Sequence, residues 1–235
     1  MQIRVGMENN VEGRTIAWPL DFPGCFAYGD DETDALIRLP GELLNFEVWI
    51  KDHTSDPWIN FEGLDIRIEE HYTTHYINED YKIMPQGQGS EVNAWFVDDW
   101  RPLTEEEVSH ALSVFRWQRD ELLAGLTTIE QYILEKEYPG QRWNIIGIAK
   151  HVANAERWYM ERLGLTSLAS EDLAMDMEER LAQTAAIIEE QFPNFPGQEK
   201  VVGIDGEFWS CRKVVRRILW HQRDHIEHIK ELVFG

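Results

Sequence analysis

The spacing of apolar residues changes character once along this chain, near residue 100. Before that point it shifts every few positions. Ile3 to Val5, Thr15 to Trp18 and Cys25 to Tyr28 read as short strands, separated by Glu-Asn-Asn, Glu-Gly and Phe-Pro-Gly turn signals. A helix is predicted from Asp31, whose carboxylate can accept from the free amides of a first turn, through Ala35, Leu36 and Leu39. Pro40-Gly41 predicts an interruption, followed by a second helical stretch through Leu43, Leu44, Phe46, Val48, Trp49 and Ile50. Past His53, Leu64, Ile66 and Ile68 alternate with charged residues as a half-exposed strand does. Ala94 to Val97 suggests another strand, and Gln86 to Ser90 a flexible loop.

From Thr104 onward the period is that of helices. Thr104-Glu-Glu-Glu107 has the form of a capping box, and Val108, Leu112, Phe115, Leu122 and Leu126 follow on one face. A second helix is predicted from about Asn144 through Ile148, Val152, Ala155 and Tyr159 to Leu163, and a third after Ser170 through Leu173, Met177, Leu181 and Ile188. Ser210 is placed to cap a fourth. No strand is expected between these helices, each of roughly 18 to 22 residues, so they read as a four-helix bundle. The expected architecture is an α+β domain over residues 1-100, a small antiparallel sheet plus helix, followed by an all-α four-helix bundle over 101-235. The junction falls at Asp98 to Pro102.

Composition narrows the partners. The chain carries 22 Lys and Arg against 43 Asp and Glu, a net charge of −21. Phosphate backbones need an extensive basic surface, which neither half offers, so nucleic acid is excluded as a direct ligand. The one basic cluster, Arg212, Lys213, Arg216 and Arg217, reads as a solvated face beside acidic helices. Cys25 and Cys211 lie far apart and imply neither a disulfide framework nor a thiolate metal site. No apolar run approaches the roughly 18 residues of a membrane span, so no membrane association is expected. With free cysteines and no signal peptide, the expected location is cytoplasmic.

The chemistry concentrates on histidine. His221 and His225 stand one turn apart on a helical face that also carries Val214, Ile218, Ile229 and Leu232. Imidazoles on an apolar stripe need a polar partner, and a metal ion satisfies several at once. His151, inside the second predicted helix, supplies a third ligand. Three neutral imidazoles on bundle stripes give an open site with room for water. His228 follows His225 by three residues, so those two can also share an ion.

The C-terminal half resembles the DinB-like bundle family. Trp143-Asn144, His151 followed by Glu156, Trp158 and Tyr159, Gly206-Glu-Phe-Trp-Ser210, and Trp220-His221-Gln-Arg-Asp-His225 carry the likeness, over about residues 104 to 233. The resemblance selects His151, His221 and His225 as the ligands of a divalent metal, commonly zinc or nickel, with water completing the coordination. It implies a metal-dependent hydrolase or a transferase using a low-molecular-weight thiol, acting on a small molecule; many members have no assigned activity. Residues 1 to about 53 resemble, less fully, the HicB-like fold through Phe22-Pro-Gly-Cys25, Gly29-Asp30 and Ala35. Pro40-Gly41 departs from that pattern and no DNA-binding segment is recognisable. The likeness therefore implies a fold and a protein-interaction role rather than an antitoxin. The rival class is a stress-response or protein-interaction module with a structural metal site, and bundle faces leave a homodimer open.

Other candidates read more plainly. His71 and His75 repeat the i, i+4 spacing, but their strand-like setting would hold them roughly 13 Å apart. His53 and His110 are expected at the surface, as are Glu156 and Asp224, the carboxylates nearest the ligands in sequence. Arg119 falls on an apolar stripe and reads as snorkelling at the bundle rim, with a buried acidic partner as the alternative. Cys211 and the tryptophans, including Trp117, Trp143, Trp158 and Trp220, read as packing residues.

Overall fold

An N-terminal set of strands gives way to helices in the computed structural model, which describes residues 1–235. In chain order the elements are β1 (Gln2–Val11), β2 (Arg14–Pro19), β3 (Ala27–Gly29), α1 (Glu32–His53), β4 (Asp65–Thr73), β5 (His75–Ile77), β6 (Ile83–Met84) and β7 (Ser90–Val92). There follow α2 (Glu105–Thr128), α3 (Gln131–Leu134), α4 (Ile145–Arg162), α5 (Met177–Gln191), β8 (Val201–Ile204), β9 (Glu207–Ser210) and α6 (Cys211–Phe234). Two compact units result: Met1–Arg101 with Glu199–Lys213, and Pro102–Gln198 with Val214–Gly235. No helix is long and apolar enough to cross a membrane.

In the first unit the main sheet runs β3-β2-β1-β4. The expected antiparallel sheet is corrected to a mixed one. β1 pairs antiparallel with β2 but parallel with β4, because α1 intervenes between the hairpin and β4 and returns the chain in the same direction as β1. Asp31 caps α1 as expected, accepting from Asp34 N at 2.9 Å. The predicted break at Pro40 does not occur, and α1 is continuous over 22 residues. Ala35 and Leu39 before the proline and Leu43, Phe46 and Ile50 after it are all buried, so one continuous packed face spans the missing hydrogen bond.

Ala94 to Val97 forms no strand, and its amides show why. Asn93 N donates to Glu207 Oε1 at 3.1 Å, Ala94 N to Glu8 Oε1 at 2.7 Å, Phe96 N to Asp99 Oδ2 at 2.9 Å, and Val97 N to Glu70 Oε2. Side-chain carboxylates take the places that a neighbouring strand would fill. Glu8 is fully buried and also accepts from Trp18 Nε1 and Thr74 Oγ, each at 2.9 Å.

A hairpin, β8 with β9, lies between the last two long helices, where no strand is expected from the sequence. Its turn is Asp205-Gly206, both at positive φ (52° and 81°). An Asp-Gly pair flanked by apolar residues is a strong hairpin signal, since Gly tolerates this backbone and Asp is one of the few other residues that does. The basic cluster is likewise corrected. Arg212, Lys213, Arg216 and Arg217 are buried, not solvated. Lys213 donates to Glu207 Oε1 at 2.8 Å and lies 4.5 Å from the Trp209 ring, while Arg212 Nε donates to the Arg101 carbonyl at 2.9 Å. Arg217 lies over Trp220 at 4.3 Å.

In the second unit the capping box forms: Thr104 Oγ1 accepts from Glu107 N at 3.1 Å and Glu107 Oε2 accepts from Thr104 N at 2.8 Å. α5 begins later than expected, at Met177, because Asp176 accepts from both Glu178 N and Glu179 N; Ser170–Asp172 is a separate 3₁₀ turn. Leu122, Leu126, Ile148, Val152, Leu181 and Ile229, from α2, α4, α5 and α6, belong to one apolar cluster.

A polar network crosses the same four helices. Arg119 (5 % exposed) donates from Nε to Gln222 Oε1 at 2.8 Å, from Nη1 to the Leu181 carbonyl at 2.9 Å, and from Nη2 to Glu156 Oε1. Glu156 (1 % exposed) accepts on its other oxygen from Thr184 Oγ1 at 2.6 Å. Gln222 Nε2 donates to the Phe115 carbonyl at 3.2 Å. Both the snorkelling of Arg119 and the surface placement of Glu156 are overturned, because each side chain finds its opposite charge across the interior. Arg119→Ala should strand a buried carboxylate and lower unfolding free energy by about 3–5 kcal/mol in urea titration. Joint replacement, Arg119→Met with Glu156→Leu, should recover most of that. A single-variant loss below about 1 kcal/mol would contradict the interior pairing.

Candidate metal centre

α4 and α6 supply the three histidines, and α4 is prepared for the task by its first turn. Asn144 caps it, accepting from Gly147 N at 2.8 Å, and fixes where residue 151 falls on the helix. Gly147 and His151 are spaced four apart and so share a face of α4, and Trp143 lies just before the cap. A Cβ on Gly147 would stand 2.8 Å from the Cβ of Trp143. Its absence lets the indole fold back along the helix and stack on His151, ring centroids 4.5 Å apart and planes 25° from parallel. From α6, His221 and His225 project one turn apart onto the same point.

The three rings meet through one nitrogen each. His221 Nε2 lies 3.1 Å from His151 Nε2 and 3.1 Å from His225 Nε2, and the three ligand atoms all fall within 4.8 Å of one another. Imidazole nitrogens bound to zinc at about 2.0–2.1 Å sit about 3.3 Å apart in a tetrahedron and about 2.9 Å apart at adjacent octahedral corners. The 3.1 Å separations of His221 from each of the other two lie between these values. Hydrogen bonding among the rings accounts for the convergence less well. Nε2 of His221 offers either one proton or one lone pair, so it cannot make linear bonds to both neighbours.

Burial keeps two of these rings, His221 and His225, unprotonated. His221 is held well below the usual histidine range by burial, then by the positive charge that His225, His151 and Arg217 would place beside it. His225 is pushed down to about 3, again first by burial and then by His151 and His228. Neutral imidazoles with free lone pairs are what a divalent ion binds. One feature departs from well-supported metal sites: no protein group meets Nδ1 of His221 or of His225, whereas ligand histidines ordinarily donate that N–H to a carboxylate or carbonyl.

The remaining sequence candidates fall outside this group. His228 Nε2 pairs with Gln141 Oε1 at 3.0 Å, its ring 6.0 Å from that of His225, so it stands on the flank. His71, on β4, pairs with Glu32 Oε1 at 2.8 Å, and His75, on β5, with the Thr73 carbonyl at 3.2 Å, so the two lie on different strands and not on a helix. His53 bonds the Trp49 carbonyl at 2.8 Å and is half-buried, as is His110. Glu156 is committed to Arg119 and Thr184, and Asp224 is half-buried on α6. Cys211 is buried, which pushes its thiol up to about 11, and it belongs to the first unit, unlike the histidines. The role of Gly147 was not evident from the histidines alone; its signal was the repeat of four linking Trp143, Gly147 and His151.

Two outcomes test this geometry. Because His221 and His225 have folded-state pKa values below the ordinary unfolded one, the unfolded chain takes up protons first. The contribution of His225 to stability is present above about pH 6.5 and is lost as pH falls toward about 3, by up to about 1.4 kcal/mol per pH unit, and that of His221 is lost in the same direction. In chelator, urea unfolding should show a lower free energy at pH 5 than at pH 7, with a shallower difference in His225→Ala; equal values at both pH would contradict the burial. Gly147→Val should displace the indole and change Trp fluorescence and divalent-metal affinity together, whereas an unchanged affinity would separate the stack from the site.

No protein-family model, curated protein or solved structure matches this chain.

Proposed function

We propose that the second unit is a DinB-like four-helix bundle, built on α2, α4, α5 and α6, that holds one divalent metal ion, zinc or nickel, on His151, His221 and His225. The observation that carries this reading is the convergence of three buried or half-buried imidazoles, with Nε2 of His221 at 3.1 Å from Nε2 of both His151 and His225 and all three ligand atoms within 4.8 Å of one another. The ligand count favours catalysis over a purely structural role. Only three His, Cys, Asp or Glu side chains reach the point, and a structural zinc site takes four. A divalent ion supplies a Lewis acid that polarises a substrate oxygen or acidifies a water or thiol ligand. The protein then acts as a metal-dependent hydrolase or a thiol-dependent transferase on a small molecule.

The chain's own residues orient and exclude water. Trp143 covers one face of His151, Tyr159 and Trp220 stand beside His221 with centroids 6.1 and 5.8 Å away, and His221 and His225 are kept neutral near pH 7 by burial. Glu156 is held by Arg119 and Thr184, which removes it as a proton acceptor at the ligands and gives it the task of positioning α4. The first unit, read as HicB-like, serves as a protein-interaction module.

Metal analysis of protein purified without an affinity tag should find about one divalent ion per chain. His221→Ala with His225→Ala should weaken that binding by more than about 100-fold, beyond what loss of a supporting hydrogen bond does, with the helical circular dichroism retained. A metal-free wild type that gains neither ion nor thermal stability from added zinc or nickel would overturn the proposal.

A further inference from the structure

α1 is apolar on two faces. Ala35, Leu39, Leu43, Phe46 and Ile50 are buried, and the helix packs against β2 and β3. On the opposite side Ile37, Leu44 and Val48 stand 73 %, 48 % and 58 % exposed. Gly41 lies among them, with no atom within 4 Å of the position its Cβ would take. At 100° per residue, positions 34, 37, 41, 44, 48 and 51 fall within a band about 100° wide. Their alternating spacing of three and four is that of a coiled-coil seam. Single exposed apolar residues are ordinary on a protein surface, whereas Ile37, Leu44 and Val48 on one stripe, with a charge at either end, have the form of a helix-binding face.

The stripe is complementary to itself in reverse. About the midpoint between Glu42 and Leu43, Ile37 is as far to one side as Val48 to the other, Gly41 as Leu44, and Asp34 as Lys51. Two antiparallel copies therefore oppose Ile37 to Val48 and seat Leu44 in the gap at Gly41. They also bring the acid of Asp34 against the ammonium of Lys51 at each end. Both of these groups are partly exposed in their present pairs, Asp34 with Arg38 and Lys51 with Glu47. A parallel pair would oppose Gly41 to Gly41, leaving a void, and Asp34 to Asp34, setting like charges together. The arrangement is isologous, each surface meeting its own copy about a twofold axis.

We propose that this face of α1 is a homodimer interface, occupied by α1 of a second copy of this chain in antiparallel register. One helix pair falls near or below the about 800 Å² per partner of a standard interface, so association is concentration-dependent rather than obligate. Sedimentation velocity of the full chain should show the 27.6 kDa monomer at about 1 µM passing to a dimer toward about 100 µM. Leu44→Glu places an unpaired charge in the seam and should raise the dissociation constant by about 100-fold. Because residue 44 is half-exposed, its circular dichroism and thermal unfolding should match the wild type. As a second measurement, Ile37→Cys chains mixed with Val48→Cys chains should form a cross-linked heterodimer under mild oxidation by diamide, and neither should cross-link alone. A chain monomeric throughout that range, a dimer indifferent to Leu44→Glu, or cross-linking of Ile37→Cys to itself would each overturn the proposal.

Discussion

The second unit depends on the burial of one ion pair. Taking Arg119 and Glu156 out of water is unfavourable unless every donor and acceptor they bring is met, and in this interior they are met by four helices at once. α2 brings the guanidinium, α4 the carboxylate, α5 a hydroxyl and a carbonyl, and α6 the Gln222 amide. A slide of any one helix by a turn would strand a charge. Apolar contacts hold the helices together but tolerate small slips; the polar network does not. Gln222 is the neighbour of His221 in sequence, and Glu156 lies five residues beyond His151. The same constraint that fixes the helices therefore fixes the axial position of the three imidazoles, whose nitrogens must agree to within a few tenths of an ångström to share an ion.

What could be read from the sequence follows how local each determinant is. The capping box at Thr104, the caps at Asp31 and Ser210 and the one-turn spacing of His221 and His225 involve residues within four positions of each other, and all stand where their spacing puts them. The hairpin at Asp205-Gly206 was equally local, yet its strands are only four residues long and sit in a helical setting that hid them. Three features were not legible. The continuity of α1 past Pro40 is decided by a packed face, not by the proline. The absent strand at Ala94 is decided by Glu8, 86 residues away in sequence. The burial of Arg119 is decided by Glu156, which reads as a surface residue until the fold supplies its partner.

The candidate site shows the same division. Its three histidines were legible as a group because three histidines on helical stripes are uncommon and mutually consistent. Its surroundings were not, since the stacking of Trp143 on His151 needs a glycine between them and the lowered protonation of His221 and His225 needs burial that only the packed helices provide. The unmet Nδ1 atoms mark the site as less rigidly braced than its nitrogen spacing suggests. Ring orientation there rests on packing against aromatic neighbours.

The capture of the amides of Asn93, Ala94, Phe96 and Val97 by carboxylates divides the acidic residues of this chain into two kinds. Exposed Asp and Glu side chains that cap no helix and meet no buried partner contribute mainly to the net charge of −21, and they can be exchanged for neutral residues at small cost. Glu207, Glu8, Asp99 and Glu70 act instead as backbone, standing in for a strand that is not there. Lightening the charge of this protein to alter its solubility is thus a matter of choosing positions rather than counting them.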